Sequence, residues 1–236
     1  FFTFLLTGEK VAEFTLASTT QFLNAHTRHW ETSLLKAFQL PLDILPSIVN
    51  SATVVGPLLP DLAERTGAGP LKVCATAAHD TGAAVAAVPG QGEDWCYISS
   101  GTWSLLGVEV SQPVITPLAR RYDFTNEGGV GGTYRLLRNV MGLWLLQECR
   151  RSWARAGDAV SYEQLAAEAR EAPPFRTLID PDDRRFLAPK DMPEAIRDYA
   201  RATGQPEPRT RSEVVRCILE SLAFKYRYLI EALEKV

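Results

Sequence analysis

Cys74-Ala75-Thr76-Ala77-Ala78-His79-Asp80-Thr81-Gly82 and, a little further on, Tyr97-Ile98-Ser99-Ser100-Gly101-Thr102-Trp103-Ser104-Leu105-Leu106-Gly107-Val108 decide the fold. The first run follows apolar Leu71 and Val73, the pattern of a strand. It turns at the polar corner Ala78 to Thr81 and continues as a small-residue helix from Gly82 to Val88. The second reads as a hairpin, two short apolar strands joined through Gly101 at a polar turn. A strand feeding a helix and then paired strands belongs to an α/β layer. Functional side chains usually project from loops at strand ends, so the corner at Asp80 and the turn at Thr102 become the leading candidates.

Working outward, residues 1–29 read as short and irregular. Leu34, Leu35 and Phe38 mark a helix over Trp30 to Leu40 that stops before Pro41. Leu45 to Val49 and Gly56 to Pro60 are broken by proline and read as connections. Asp61 to Thr66 reads as one or two helical turns ended by Gly67. Pro89 to Asp94 is short, polar and glycine-bearing, and the pattern switches there from helix to strand, so a domain boundary is expected. Residues 95–137 read as β, with Gly128 to Gly132 as a turn. Asn139 to Ala154 reads as a helix, apolar on nearly all sides at its start and therefore buried. Helices follow over Tyr162 to Ala169 and Met192 to Thr203. The last helix opens with Thr210 and Glu213 at capping-box spacing. It carries the stripe Val214, Ile218, Leu222, Tyr226, Leu229 and Leu233.

The composition is that of an ordinary globular chain. Of 236 residues, 46% are hydrophobic and 22% charged. The 28 acidic and 25 basic side chains leave a net charge of -3, which argues against a nucleic-acid surface as the main feature. No apolar run reaches the roughly 18 residues of a membrane helix. The four cysteines are widely spaced, without a CxxC pair, and the three histidines are not at metal-ligand spacing. The cysteines read as reduced, mostly buried cytosolic thiols. The chain opens inside an apolar pattern without Met and closes inside an amphipathic helix, so both ends are expected to be cut ends of a longer protein.

Asp80 has two readings. It can cap the helix that follows it, or it can accept a proton from a substrate hydroxyl, a task that needs the ionised carboxylate within hydrogen-bond reach. The turn at Gly101-Thr102 is either a plain hairpin turn or a phosphate cradle, in which glycine admits an anion and the threonine hydroxyl binds it. His79 either orients a sugar hydroxyl or is a hydrogen-bonded structural histidine. Asn139 reads as a helix cap and Gln147 as a half-buried amide whose hydrogen bonds are satisfied within the fold. No GxxxxGK[ST] loop is present, and no GxSxG elbow supports a serine hydrolase.

Taken in order, Ala17-Ser18-Thr19-Thr20-Gln21, Ala78-His79-Asp80-Thr81, the run Tyr97 to Glu109, Phe124-Thr125-Asn126-Glu127-Gly128-Gly129 and the run Asn139 to Cys149 resemble the FGGY carbohydrate kinases. The resemblance covers nearly the whole chain and is weakest over 151–175 and 195–210. It implies an actin-like, ribonuclease H-like two-domain α/β fold, incomplete here. Residues 1–89 would form the C-terminal part of the first FGGY domain and 90–236 the N-terminal part of the second. It implies ATP and Mg²⁺ as cofactors, a small-molecule sugar as substrate, and transfer of a phosphoryl group to the C1 hydroxyl of L-rhamnulose. By the same resemblance Asp80 is the catalytic base, His79, Asp80, Thr81 and Asn139 bind the sugar, and Gly101, Thr102 and Gln147 bind ATP. Mg²⁺ would be held largely by phosphates and water, so no metal ligand is assigned. No nucleic-acid or membrane partner is implied, the location is cytoplasmic, and the oligomeric state is left open. The family's first phosphate loop and its glycine-rich adenine-side loop have no counterpart in the chain, so slow turnover by residues 1–236 alone is expected. The alternatives are another sugar kinase of the family, for L-fuculose or D-xylulose, or a non-catalytic sugar-binding relative.

Overall fold

The computed structural model describes residues 1–92 and 94–236. The boundary expected at Pro89 to Asp94 includes Glu93, which lies outside the described residues. The chain divides into two compact units: Phe1–Tyr97 with Gly107–Leu137 and Val236, and Ile98–Leu106 with Arg138–Lys235.

In the first unit, the strand Val11–Glu13 pairs in parallel with Ser47–Val49. The strand Val54–Pro57 runs antiparallel to Lys72–Cys74 with an irregularity between Val54 and Gly56. Thr125–Gly128 runs antiparallel to the first half of Tyr134–Met141, pairing Tyr134 with Gly128 and Leu137 with Thr125. Phe14 and Tyr134, both buried, meet edge to face with ring centroids 5.8 Å apart. Gly128 is where this packing needs a glycine. A Cβ there would stand 2.7 Å from the Phe14 ring.

Residues 1–29, read as irregular, and the stretches Leu45 to Val49 and Gly56 to Pro60, read as connections, are more regular than expected. Helices Phe2–Thr7 and Phe14–Ala17 and the strands Val11–Glu13, Ser47–Val49 and Val54–Pro57 occupy them. Each element is short, three to six residues, so no period repeats often enough to be seen. The helix expected over Trp30 to Leu40 is confined to Thr32–Ala37.

The four-stranded sheet has the order Tyr97–Ser100, Trp103–Val110, Tyr134–Met141, Thr125–Gly128. Here the reading of Asn139 to Ala154 as one helix is corrected. Asn139, Val140 and Met141 finish the strand Tyr134–Met141, and the helix begins at Trp144. Val140 and Met141 are buried, and a short apolar run at a strand end cannot be told from the start of a buried helix by periodicity alone.

In the second unit, Leu146, Val160, Leu165, Ala169 and Val215 form a buried cluster with Leu143 and Trp153 against it. It joins the helices Trp144–Arg155, Tyr162–Glu171 and Arg211–Leu233. Capping boxes start two of these helices, Ser161 with Gln164 and Thr210 with Glu213. Val214, Ile218, Leu222 and Leu229 of the expected stripe are buried. Among the described residues, no helix is long and apolar enough to cross a membrane. The four cysteines are free, and the expectation that they are mostly buried is corrected for half of them: Cys149 and Cys217 are buried, whereas Cys74 and Cys96 are exposed.

Candidate active site

In the first unit the corner Ala78 to Thr81 is held from below by one carboxylate. Glu13, only 8% exposed, ends its strand and accepts from the amides of Thr15 (2.9 Å), Leu16 (3.3 Å) and Ala78 (3.1 Å) and from the hydroxyls of Thr15 and Ser51, both at 2.5 Å. Burial pushes its pKa up, but the hydrogen bonds from Ser51, Thr15 and Ala78 outweigh this and hold it below its ordinary value of 4.5. The Thr15 hydroxyl in turn accepts from the His79 amide at 3.1 Å. A strand end and a helix start far apart in sequence are thus joined through side chains.

His79 occupies the cap position of the helix Asp80–Ala86, and no side chain caps it. Asp80 stands one residue inside. Its Oδ1 accepts from the Thr81 amide at 2.7 Å, and its side chain is 97% exposed. The capping role open to Asp80 in the sequence is therefore not the one it takes. Thr81 is buried, with its hydroxyl 3.4 Å from the same oxygen. His79 Nε2 lies 3.9 Å from Asp80 Oδ1.

Behind His79 is a residue that sequence reasoning missed. Arg135 is fully buried, donates Nε–H to the Gly128 carbonyl (3.2 Å), and places Nη2 2.8 Å from both Glu127 Oε2 and His79 Nδ1. Its Nη1 has no hydrogen-bond partner among the described residues, nor has the buried Tyr97 hydroxyl. Burial raises the Tyr97 phenol above its ordinary range while the Arg135 charge pulls the other way. The detectable signal was a lone Arg inside the apolar run Tyr134 to Leu137.

In the second unit, Thr102 and Gln147 are brought together across 45 residues of sequence. Thr102 Oγ1 lies 3.2 Å from Gln147 Oε1 and 3.1 Å from Gln147 Nε2. The Gly101 amide donates to the Trp103 carbonyl at 3.0 Å, which closes the hairpin, so among these groups the exposed Thr102 hydroxyl is the turn's outward donor. The turn is fastened to the start of the helix Trp144–Arg155. The amides of Gly142 and Trp144 donate to the Thr102 carbonyl (3.1 and 3.0 Å), and that of Leu143 donates to the Gly101 carbonyl (2.9 Å). Gly142 permits this approach. A Cβ on it would stand 2.8 Å from the Gly101 oxygen and 3.0 Å from the Ser104 nitrogen. Asn139 is exposed on its strand. The next turn of that chain is anchored by Asp182, which accepts from the Met141 amide (3.0 Å) and pairs with Arg138 (3.3 Å) and Lys225 (2.9 Å).

The first unit therefore presents an exposed carboxylate beside an imidazole on a braced corner. The second presents a hydroxyl and an amide side chain on a fastened turn.

Residues 1–87 match the N-terminal domain, and residues 96–236 the C-terminal domain, of the FGGY family of carbohydrate kinases. The chain belongs to that family, and its fold is the actin-like α/β fold of those kinases. It is 50% identical over 230 residues to the rhamnulokinase of Bacteroides thetaiotaomicron, which covers 98% of this chain and 47% of the relative. It is 43% identical to the rhamnulokinase of Oceanobacillus iheyensis, over 99% of this chain and 48% of the relative. The crystal structure of xylulose kinase from Rhodospirillum rubrum shares the fold with a TM-score of 0.71 at 23% identity, over 99% of this chain and 46% of that one. The chain spans about half the length of these relatives.

Proposed function

We propose that the whole protein transfers the γ-phosphoryl group of ATP to the C1 hydroxyl of L-rhamnulose, giving L-rhamnulose 1-phosphate and ADP, in L-rhamnose catabolism. The observation that carries this reading is the 50% identity to a rhamnulokinase over 230 residues, a stretch that includes the braced corner His79-Asp80-Thr81.

In this reading Asp80 accepts the hydroxyl proton as the sugar oxygen forms its bond to the γ-phosphorus and the bond from that phosphorus to the β–γ bridging oxygen breaks. Phosphoryl transfer asks for positioning and charge stabilisation more than for covalent chemistry. His79, Thr81 and Asn139 would orient the sugar, and Thr102 with Gly101 and Gln147 would hold the nucleotide. Mg²⁺ travelling with ATP would be held largely by phosphate oxygens and water, so no protein ligand is assigned to it. Bound there, Mg²⁺ would neutralise charge on the phosphate oxygens. The boundary between the two family domains falls in Pro89 to Asp94, and the reaction runs in the cytoplasm, where ATP is supplied.

The test is ADP release by the whole protein with L-rhamnulose, L-fuculose, D-xylulose and glycerol. A strong preference for L-rhamnulose supports the reading. Preference for another sugar keeps the chemistry and overturns the substrate. No turnover with any of them overturns the enzyme reading.

A further inference from the structure

We infer that Arg135 is a positioning residue that fixes the ring proton of His79 on Nε2, so that His79 offers a donor beside the acceptor Asp80. A guanidinium has N–H donors and no acceptor. Its 2.8 Å approach to His79 Nδ1 is a hydrogen bond only when Nδ1 carries the lone pair. The proton count closes, because Nη2 has two hydrogens and two partners, Glu127 Oε2 and His79 Nδ1. Glu127 Oε2 is 3.6 Å from His79 Nδ1, too far to take a proton from it. Arg135 is itself immobilised by burial, by the Gly128 carbonyl and by Glu127, and an arginine does not lose its proton in a protein. The other end of the residue is pinned through the His79 amide on Thr15.

The neutral ring then turns Nε2–H toward the side of Asp80, at 3.9 Å from Oδ1. That is too long for a direct hydrogen bond. The pair therefore reads two oxygens differently: Asp80 accepts from a hydroxyl, and His79 donates to a neighbouring oxygen that accepts. A ketose phosphorylated at C1 offers this arrangement, the reacting hydroxyl beside the oxygen on C2. This consequence for the sugar rests on the kinase reading, whereas the tautomer does not.

The test uses the whole protein with ¹⁵N-labelled histidine, His79→Gln serving to assign the ring signals. The expected spectrum of the unsubstituted protein shows His79 with a bare Nδ1 and a protonated Nε2. Arg135→Met is expected to give a mixture of tautomers and to raise KM for the sugar at least about five-fold with KM for ATP unchanged, while Arg135→Lys, which keeps a donor, restores both in large part. A protonated Nδ1 in the unsubstituted protein overturns the inference even where Arg135→Met fails to fold. So does a folded Arg135→Met variant with an unchanged tautomer. A tautomer that shifts with Arg135→Met in a protein that turns over no sugar upholds the role of Arg135 and overturns the kinase reading.

Discussion

Thr102 and Gln147 share a hydrogen bond in which either side chain can donate, with Oγ1 3.1 Å from Nε2 and 3.2 Å from Oε1. When Gln147 donates, the Thr102 proton is left for another acceptor, such as a phosphate oxygen. Gln147→Glu removes that option, because a carboxylate only accepts and takes the Thr102 proton. We expect Gln147→Glu to raise KM for ATP by about ten-fold or more, the worth of one charge-assisted hydrogen bond. Gln147→Ala should cost less. Initial rates against ATP concentration check this, and equal effects of the two substitutions would defeat it.

Asp80 is exposed and is not the N-cap residue, its side chain holding a single first-turn amide, so replacing it should leave the fold intact. Asp80→Asn keeps the shape and removes the proton acceptor. We expect kcat to fall by about 10²–10⁴-fold, the range of general-base contributions, with sugar affinity within a few-fold of normal. Calorimetric sugar binding alongside single-turnover rates separates the two, and retention of near-normal turnover would show that Asp80 is not the base.

Glu13 gives the corner a pH dependence whose sign is fixed. Its folded pKa lies below its ordinary 4.5. The stabilisation is therefore complete above that value and is lost as pH falls through the folded one. Asp180, held low by Lys225 against the opposing effect of burial, acts in the same direction. Glu13→Gln should lower stability at neutral pH by about 1–3 kcal/mol, the cost of leaving buried donors poorly paired, and should flatten the acid limb of the stability curve. Denaturant melts between pH 3 and about 7 measure both, and an unaltered acid limb would count against Glu13 as its source.

Gly142 lies where the Gly101-Thr102 turn is fastened to the start of the following helix. Gly142→Ala puts a methyl against the Gly101 carbonyl and the Ser104 amide. Overpacking of this kind costs about 1–3 kcal/mol. We expect a lower thermal midpoint together with a raised KM for ATP and an unchanged KM for the sugar.

How far the sequence could be read depended on sequence distance. The Thr210–Glu213 capping box is local and forms as read. The strand, corner and helix around Asp80 were legible because apolar, polar and small residues change within a few positions. Asn139 was placed in a helix because Val140, Met141, Leu143, Trp144, Leu145 and Leu146 form an apolar run in which Gly142 is the one interruption. Glu13 and Arg135 were missed because their partners are remote: Ala78 is 65 residues from Glu13, and His79 is 56 from Arg135. Each left one clue: Glu13 closes the short apolar strand begun by Val11 and Ala12, and Arg135 interrupts the apolar run Tyr134 to Leu137.

Consecutive amides at the corner, those of Ala78 and His79, are both held by side chains of the short segment Glu13 to Thr15 rather than by a backbone ladder. Their exchange with deuterium therefore reports on that segment alone. Both should open together in one local event, below the free energy of global unfolding. The pair is thus a built-in gauge of whether the corner is assembled, one that can be read in the resting protein without any substrate.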